Sequence, residues 1–198
     1  MNNPTPLDLP DGFPAVRAHI LDHVWRDEFT VSEIPAPHRI APDAMALDAT
    51  VCEGDRTLGQ GRLIILHDPE APEAWQGTTR LVTVARAEVD LEMATDPLLS
   101  GVARSWLTDA LDNLKAPYTC LAGTATSVVS RSFGGLDDKP QESRIELRAS
   151  WTPLVDDATQ LDAHLAAWQD LLCHICGLPP ADPGVVMLRR HRRWEADA

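Results

Sequence analysis

The chain has 198 residues, of which 44% are hydrophobic and 24% charged, and this composition and length suit one globular domain with a full hydrophobic core. Its formal net charge of −13 repels phosphates, which argues against nucleic acid as a partner of the main body and against a membrane surface. No apolar run approaches the roughly 20 residues of a membrane span and the N-terminus lacks a secretory signal pattern, so we predict a cytoplasmic protein.

The first half of the chain predicts one helix followed by three strands. Residues 1–12, which include three prolines, are expected to form a flexible arm. Apolar residues at three- and four-residue steps predict an amphipathic helix over residues 13–25, and three prolines in residues 33–42 predict an extended connection. Apolar alternation or short apolar runs predict strands at residues 45–51, 61–68 and 78–90, with GDRTLGQG as the turn between the first two.

The second half predicts a helix, two strands and a final helix. Asp96 and Pro97 suit the N-cap and first position of the first of these helices. Its expected core stripe is formed by Leu99, Val102, Trp106, Ala110 and Leu114. Strands are predicted at residues 118–133 and 143–151, the latter with apolar and charged residues in strict alternation. The final helix, over residues 159–175, has an apolar side formed by Leu161, Leu165, Trp168 and Leu172.

This order of elements, α-βββ-α-ββ-α, favours an α+β fold in which helices pack on an antiparallel sheet of about five strands. It is similar to the order in the small acidic chaperones of type III secretion systems. We expect one domain over residues 13–180 and a C-terminal tail, residues 181–198, that carries an arginine-rich run.

The stretch LLCHICGLPP contains the strongest chemical pattern, two cysteines three residues apart. Half a zinc site and a redox pair are two interpretations, and packed thiols at the end of a helix are the third. Cys173 and Cys176 would close the last helix, with Gly177 as its C-cap glycine, and the negative end of the helix dipole there disfavours a thiolate. Because no second ligand pair of similar spacing exists, we predict inert thiols, no bound metal and no cofactor.

Histidines supply the other candidates for chemistry. His19 and His23 are four residues apart, as in HExxH metalloproteases, but Ile20 stands where that motif has its glutamate, and we predict a solvated or half-buried pair. His67 and Asp68 end the second strand and are weak catalytic candidates, with turn formation as the alternative. The serines Ser127, Ser130 and Ser132 would be available for a catalytic triad.

Two tryptophans and the tail are candidates for binding. Trp75 lies in a loop of prolines and glutamates, where it is either an exposed anchor or a lid on the sheet. Trp168 belongs to a helix that has more apolar residues than one sheet contact requires, which predicts a homodimer on this helix or on a sheet edge. The tail could fold back on the acidic body or contact RNA or an acidic partner through Arg189, Arg190, Arg192 and Arg193.

Four stretches, EIPAPHRIAPDAMALDA, GRLIILHDPEAPEAWQGTTRLVTVARAEVDLEMATDPLL, SWLTDAL and RASWTPL, resemble an actinobacterial family known only as a domain of unknown function. The resemblance covers residues 13–180 and implies a single-domain cytoplasmic protein with no established activity. It assigns no catalytic residue, and the arginine-rich tail lies outside it.

The leading functional hypothesis is a non-enzymatic protein-binding or adaptor module that works through its sheet face, the Trp75 loop or both, with a chaperone-like role as one variant. It rests on the lack of any motif that pairs a nucleophile, a base and an orienting group. One alternative is a small hydrolase that uses His67 and Asp68, and another is an accessory factor in RNA metabolism that contacts RNA through the tail.

Overall fold

Six antiparallel strands form a single sheet in the computed structural model of the protein, which describes residues 12–136 and 141–179. The order across the sheet is β1-β2-β3-β4-β6-β5, so that β1 and β5 are the two edges. The strands are β1 Phe29–Ile34, β2 Asp43–Glu53, β3 Arg56–His67, β4 Thr79–Glu88, β5 Tyr118–Ser130 and β6 Glu142–Pro153. The α+β class and the antiparallel sheet are confirmed, and the described strands number one more than the five expected.

Helices pack on one face of this sheet. They are α1 Gly12–Leu21, α2 Leu91–Thr95, α3 Leu99–Asn113 and α4 Leu161–Ile175. α4 contacts β3, β4 and β6, and α3 contacts both α4 and β5. None of the helices within the described ranges is long and apolar enough to cross a membrane. The predicted arm and tail fall outside the described residues, apart from Gly12.

The strand that sequence reasoning missed is β1. It pairs with β2 from Phe29 to Ile34, just before the prolines that predicted an extended connection. Of its six residues only Phe29 is buried, because an edge strand of this kind contacts the core at one end. A strand with so little buried apolar surface leaves a weak periodic signal.

Two glycines of β3 allow α4 to lie directly on the sheet. A Cβ atom at Gly61 would be 2.6 Å from Cδ1 of Leu172, and one at Gly59 would be 2.5 Å from Sγ of Cys176. The prediction of GDRTLGQG as a turn is therefore wrong in extent: the turn falls at residues 54–55, and Gly59 and Gly61 lie within β3. Because they lack side chains, these two glycines let α4 approach the backbone of β3 closely.

Helix α3 buries a stripe that only partly matches the predicted one: Leu99 and Ala110 are buried as expected, and Trp106 packs on the core. Val102 and Leu114 are 41% and 39% exposed, whereas Ala103 and Leu107 are buried. The buried residues of α3 for which burial is described are Leu99, Ala103, Leu107, Ala110 and Leu111. Since α3 packs against both α4 and β5, its position is set by contacts that the periodicity of a single helix does not encode.

Buried polar side chains link the sheet to α4. Nε1 of Trp168 donates to Oγ1 of Thr83 at 2.8 Å, and Nε1 of Trp151 donates to Nδ1 of His164 at 3.2 Å. His164 therefore carries its proton on Nε2, for which the described residues provide no hydrogen-bond partner. Burial lowers the pKa of His164 to about 4.

Substitution of Gly61 by alanine should destabilise the fold, because the added methyl group would collide with Leu172 and Trp168. Overpacking of this kind costs about 1–3 kcal/mol. The control is Gly101→Ala on α3, where nothing lies within 4 Å of the added atom, and its stability should stay the same or rise by up to about 1 kcal/mol. Urea unfolding of both variants tests this, and equal free energies of unfolding would contradict the direct packing of α4 on β3.

His164 should make the protein acid-labile. Its folded-state pKa of about 4 lies below the ordinary value of 6.5, so the unfolded chain takes up a proton first as the pH falls. The contribution of His164 to the free energy of unfolding is fully present above pH 6.5. It is lost as the pH falls towards 4, by up to about 1.4 kcal/mol per pH unit.

The variant His164→Asn keeps an acceptor for Trp151 and should show a shallower fall in unfolding free energy between pH 6.5 and 4.5. Burial also lowers the pKa of His23 and His67, so a residual slope is expected. Urea unfolding at several pH values in this range makes the comparison. A slope identical to that of the wild type would show that His164 is not the group responsible.

Candidate functional site

His67 and Asp68 lie at the end of β3, and both are engaged in local structure. The ring of His67 is 8% exposed, stacks on Phe13 with 6.0 Å between ring centroids, and has Nδ1 3.3 Å from Oγ1 of Thr79. Burial lowers its pKa, although Asp43 and Asp68 oppose this. Oδ1 of Asp68 accepts a hydrogen bond from the Glu70 amide, as in an Asx turn.

The serines proposed as nucleophiles are far from His67. Ser127 faces Ile145, which faces Ala87, which in turn faces Gly59 on β3. Gly59 is eight residues from His67 along β3, a distance of about 26 Å. The hypothesis that Ser127 or Ser130 completes a triad with His67 is therefore wrong.

His19 and His23 share one carboxylate. Nε2 of His19 is 3.0 Å, and Nδ1 of His23 3.3 Å, from Oδ1 of Asp162 in the first turn of α4. α1 ends at Leu21, so His23 reaches Asp162 from the segment beyond the helix. Burial lowers the pKa of His23 more than Asp162 raises it. In residues 12–136 and 141–179, no three His, Cys, Asp or Glu side chains are placed to hold a metal ion.

Cys173 and Cys176 close α4, and Gly177 has the left-handed φ of 70° expected of a C-cap glycine. Burial raises the pKa of Cys173 to about 11, even though Nη1 of Arg26 donates to its Sγ at 3.3 Å. Burial and the neighbouring Cys173 raise the pKa of Cys176 to about 12. Thiols in this state are poor nucleophiles at neutral pH.

Alkylation by iodoacetamide at pH 8 should modify Cys173 and Cys176 at least about 100-fold more slowly in the folded protein than in guanidinium. The reason is that their raised pKa values leave only about one thiol in a thousand, or fewer, ionised. Peptide mass spectrometry gives the rate at each of the four cysteines. Rapid modification of Cys173 in the folded protein would contradict the buried, protonated state.

The residues predicted to bind a partner differ in how far they are buried. Trp75 is half-buried, and its carbonyl accepts a hydrogen bond from Oγ1 of Thr152 at 2.6 Å, so this loop folds back on the sheet. Trp168 is completely buried and packs edge-to-face on Trp25 at 5.5 Å, so its side chain is not available for the predicted dimer interface. Trp168 is covered because α4 lies at the centre of the helix layer, over β3, β4 and β6. Arg189, Arg190, Arg192 and Arg193 lie outside the described residues.

A groove that sequence reasoning did not find runs between α3 and edge strand β5. Its volume is about 620 Å³, within the range of about 300–1,000 Å³ of ligand sites. The lining residues are Ala103, Arg104, Leu107, Tyr118, Leu121, Ala122, Gly123, Thr124, Ala125, Leu147 and Ala149.

Small side chains create this groove. Ala103 on α3, Ala125 on β5 and Ala149 on β6 leave space between the helix and the sheet. Gly123 cannot carry a side chain, since a Cβ there would lie 2.7 Å from the carbonyl oxygen of Arg148. Residues 121–125 line the groove without interruption. Because successive side chains of a strand point to opposite faces, the backbone of β5 itself must form part of the lining.

Strand β5 lacks the features that normally protect a sheet edge. Among the described strands it pairs only with β6, and its 13 residues, YTCLAGTATSVVS, include no charged residue and no proline. Natural edge strands are usually short, or carry lysine, proline or bulges that prevent pairing with another chain. β5 has one bulge, at residues 120–121 near its start, where Cys120 has a φ of 50°. The regular part that follows is an open edge.

Two polar side chains flank the apolar lining. Burial raises the pKa of Tyr118, with a further contribution from Asp112, whereas the guanidinium of Arg104 lowers it. Arg104 is exposed and forms no ion pair with another described residue. Arg104 thus places a cation at the rim of the groove, unpaired within the described residues, in a chain whose net charge is −13.

The fold and the site together define an α+β domain with an open sheet edge beside an apolar groove. The chain belongs to the family described as Protein of unknown function (DUF3000), which it matches over residues 9–186. The resemblance to a domain of unknown function is thus confirmed. No curated protein and no solved structure matches the chain.

Proposed function

We propose that this domain is a non-catalytic protein-binding module that adds an extended segment of a partner to the open edge of β5. One observation carries the proposal: a 13-residue edge strand without charge or proline lies beside a groove of about 620 Å³. A partner strand would supply hydrogen-bond partners for the unpaired backbone N–H and C=O groups of the edge, and its own backbone groups would be paired in return.

Recognition at this site would have two components. Backbone hydrogen bonds to β5 would supply much of the affinity, and the groove beside Leu107 and Ala149 would select an apolar side chain. Because the regular edge presents mainly Ala, Gly, Thr, Ser and Val, small or β-branched side chains on the partner would pair best with it. Arg104 favours an acidic residue near the anchor.

This proposal retains the adaptor hypothesis and moves its binding surface from the sheet face and the Trp75 loop to the edge of β5. We expect the partner to be a cytoplasmic protein. The RNA hypothesis depends on arginines outside the described residues. The hydrolase hypothesis depends on His67 and Asp68, whose contacts are those of a stacked ring and an Asx turn.

Selection from a displayed library of random peptides of about 12 residues should yield binders rich in small and β-branched residues with one apolar anchor. Thr124→Lys places a charge on the exposed edge strand, on the sheet face opposite the groove, and should weaken these binders by about tenfold or more. The matched control is Thr30→Lys on the opposite edge strand β1, also exposed, which should leave affinity unchanged. Fluorescence anisotropy gives the dissociation constants.

Two results would count against the proposal. One is a library that yields no binder to the wild-type chain. The other is a set of binders whose affinities are the same for Thr124→Lys and Thr30→Lys, because such peptides would be bound elsewhere. Circular dichroism of each variant checks that the fold is retained.

A further inference from the structure

The regular part of the β5 edge has a defined centre. The bulge at residues 120–121 ends it on one side and Ser130 on the other, which leaves residues 122–130. The midpoint of this segment is Thr126. Two identical antiparallel strands that use the whole segment must therefore cross at Thr126, with a two-fold axis there.

We propose, resting on the proposed function, that the strand added to β5 is β5 of a second copy of this chain, paired antiparallel about Thr126. The two six-stranded sheets become one continuous sheet of twice that size. A two-fold axis perpendicular to the sheet keeps the helix-covered faces of both copies on the same side. Such an interface is isologous, so each contact occurs twice.

The side chains of β5 are complementary to themselves in this register. Gly123 faces Val129 of the second copy, and Thr124 faces Val128. Val129 is 37% exposed in the single chain, and the position opposite it is the one that lacks a side chain. A β-branched residue covering a glycine across two strands restores the apolar surface that the glycine leaves open.

In the proposed dimer, the β5 strand of one copy ends beside the groove of the other. In this register Ser130 of the second copy faces Ala122, so the chain that follows it leaves the sheet at the Leu121 and Tyr118 end of the groove. Phe133 comes three residues later and is 85% exposed, the largest exposure among the exposed apolar side chains described. Each copy thus supplies both a groove and an apolar side chain.

The charge distribution allows β5 of one copy to pair with β5 of another even though the chain is acidic. β5 contains no charged residue, so no like charges meet at the pairing, although each copy carries a formal −13. The remaining repulsion acts over longer distances and is screened within about 10 Å at 0.1 M salt. Dimerisation should therefore strengthen with added salt.

A cysteine placed on the axis tests the register. In Thr126→Cys the two introduced residues face each other, with Cα atoms about 4.5–5.5 Å apart, which a disulfide can span. Mild oxidation should cross-link this variant within its dimer. In the control Thr124→Cys the two introduced residues are four positions apart along the paired strands, about 13 Å, and should not cross-link. The wild type, with its four free cysteines, is oxidised in parallel.

Sedimentation velocity of the full chain at up to about 100 µM, in about 0.05 M and 0.5 M NaCl, tests the assembly itself. The wild type should dimerise, and more strongly at the higher salt. Thr126→Lys brings two ammonium groups together on the axis and should weaken the dimer by at least about tenfold, whereas Thr30→Lys on β1 should not change it.

The outcomes separate this inference from the proposed function. A wild type that stays monomeric at both salt concentrations, or a dimer that persists in Thr126→Lys, overturns pairing through β5 of a second copy. Equal cross-linking of Thr126→Cys and Thr124→Cys overturns the register. If the selected peptides still bind and Thr124→Lys still weakens them, the binding edge stands with another protein as its occupant. If the peptides also fail, both proposals are overturned.

Discussion

The close seating of α4 on β3 is the constraint on which the rest of the helix layer depends. Gly59 and Gly61 remove the side chains that would hold the helix away, and Leu172 and Cys176 occupy the space. Trp168 then reaches across to Thr83, where its indole N–H finds the hydroxyl acceptor that a fully buried tryptophan requires. A helix fixed this closely at the centre of the sheet leaves less room for the other helices on that face.

The strand order makes β5 an edge, and the helix layer beside it is incompletely filled. α3 packs on α4 and reaches β5, but alanines at residues 103, 125 and 149 leave a groove instead of a filled contact. The opposite edge is more protected, since β1 is short and Glu33 forms an ion pair with Arg17 of α1. Within the described residues β5 is long, uncharged and incompletely covered, and these are features that leave an edge strand able to pair with another chain.

The cysteines and histidines whose sequence patterns suggested catalysis or metal binding contribute to packing in the structure. Cys173 and Cys176 fill space against β3 and Arg26, and burial keeps them protonated. His19 and His23 join the α1 region to Asp162 on α4. The pKa values of His67 and His164 are lowered because desolvation disfavours their charged forms. Burial therefore favours the neutral forms of His67, His164 and the two thiols.

The α+β class, the alternation that buries Ile145, Leu147, Ala149 and Trp151 of β6, and the glycine end of α4 at Gly177 can all be predicted from the sequence, because each follows from local periodicity or backbone preference. The lack of charge in β5 can also be read from its residues. The edge position of β5, the complete burial of Trp168, and the rotation of α3 that turns Ala103 inwards and Val102 outwards emerge only when the elements pack together. Strand order and helix rotation are set by contacts between segments distant in the chain, and these contacts leave no period within any one segment.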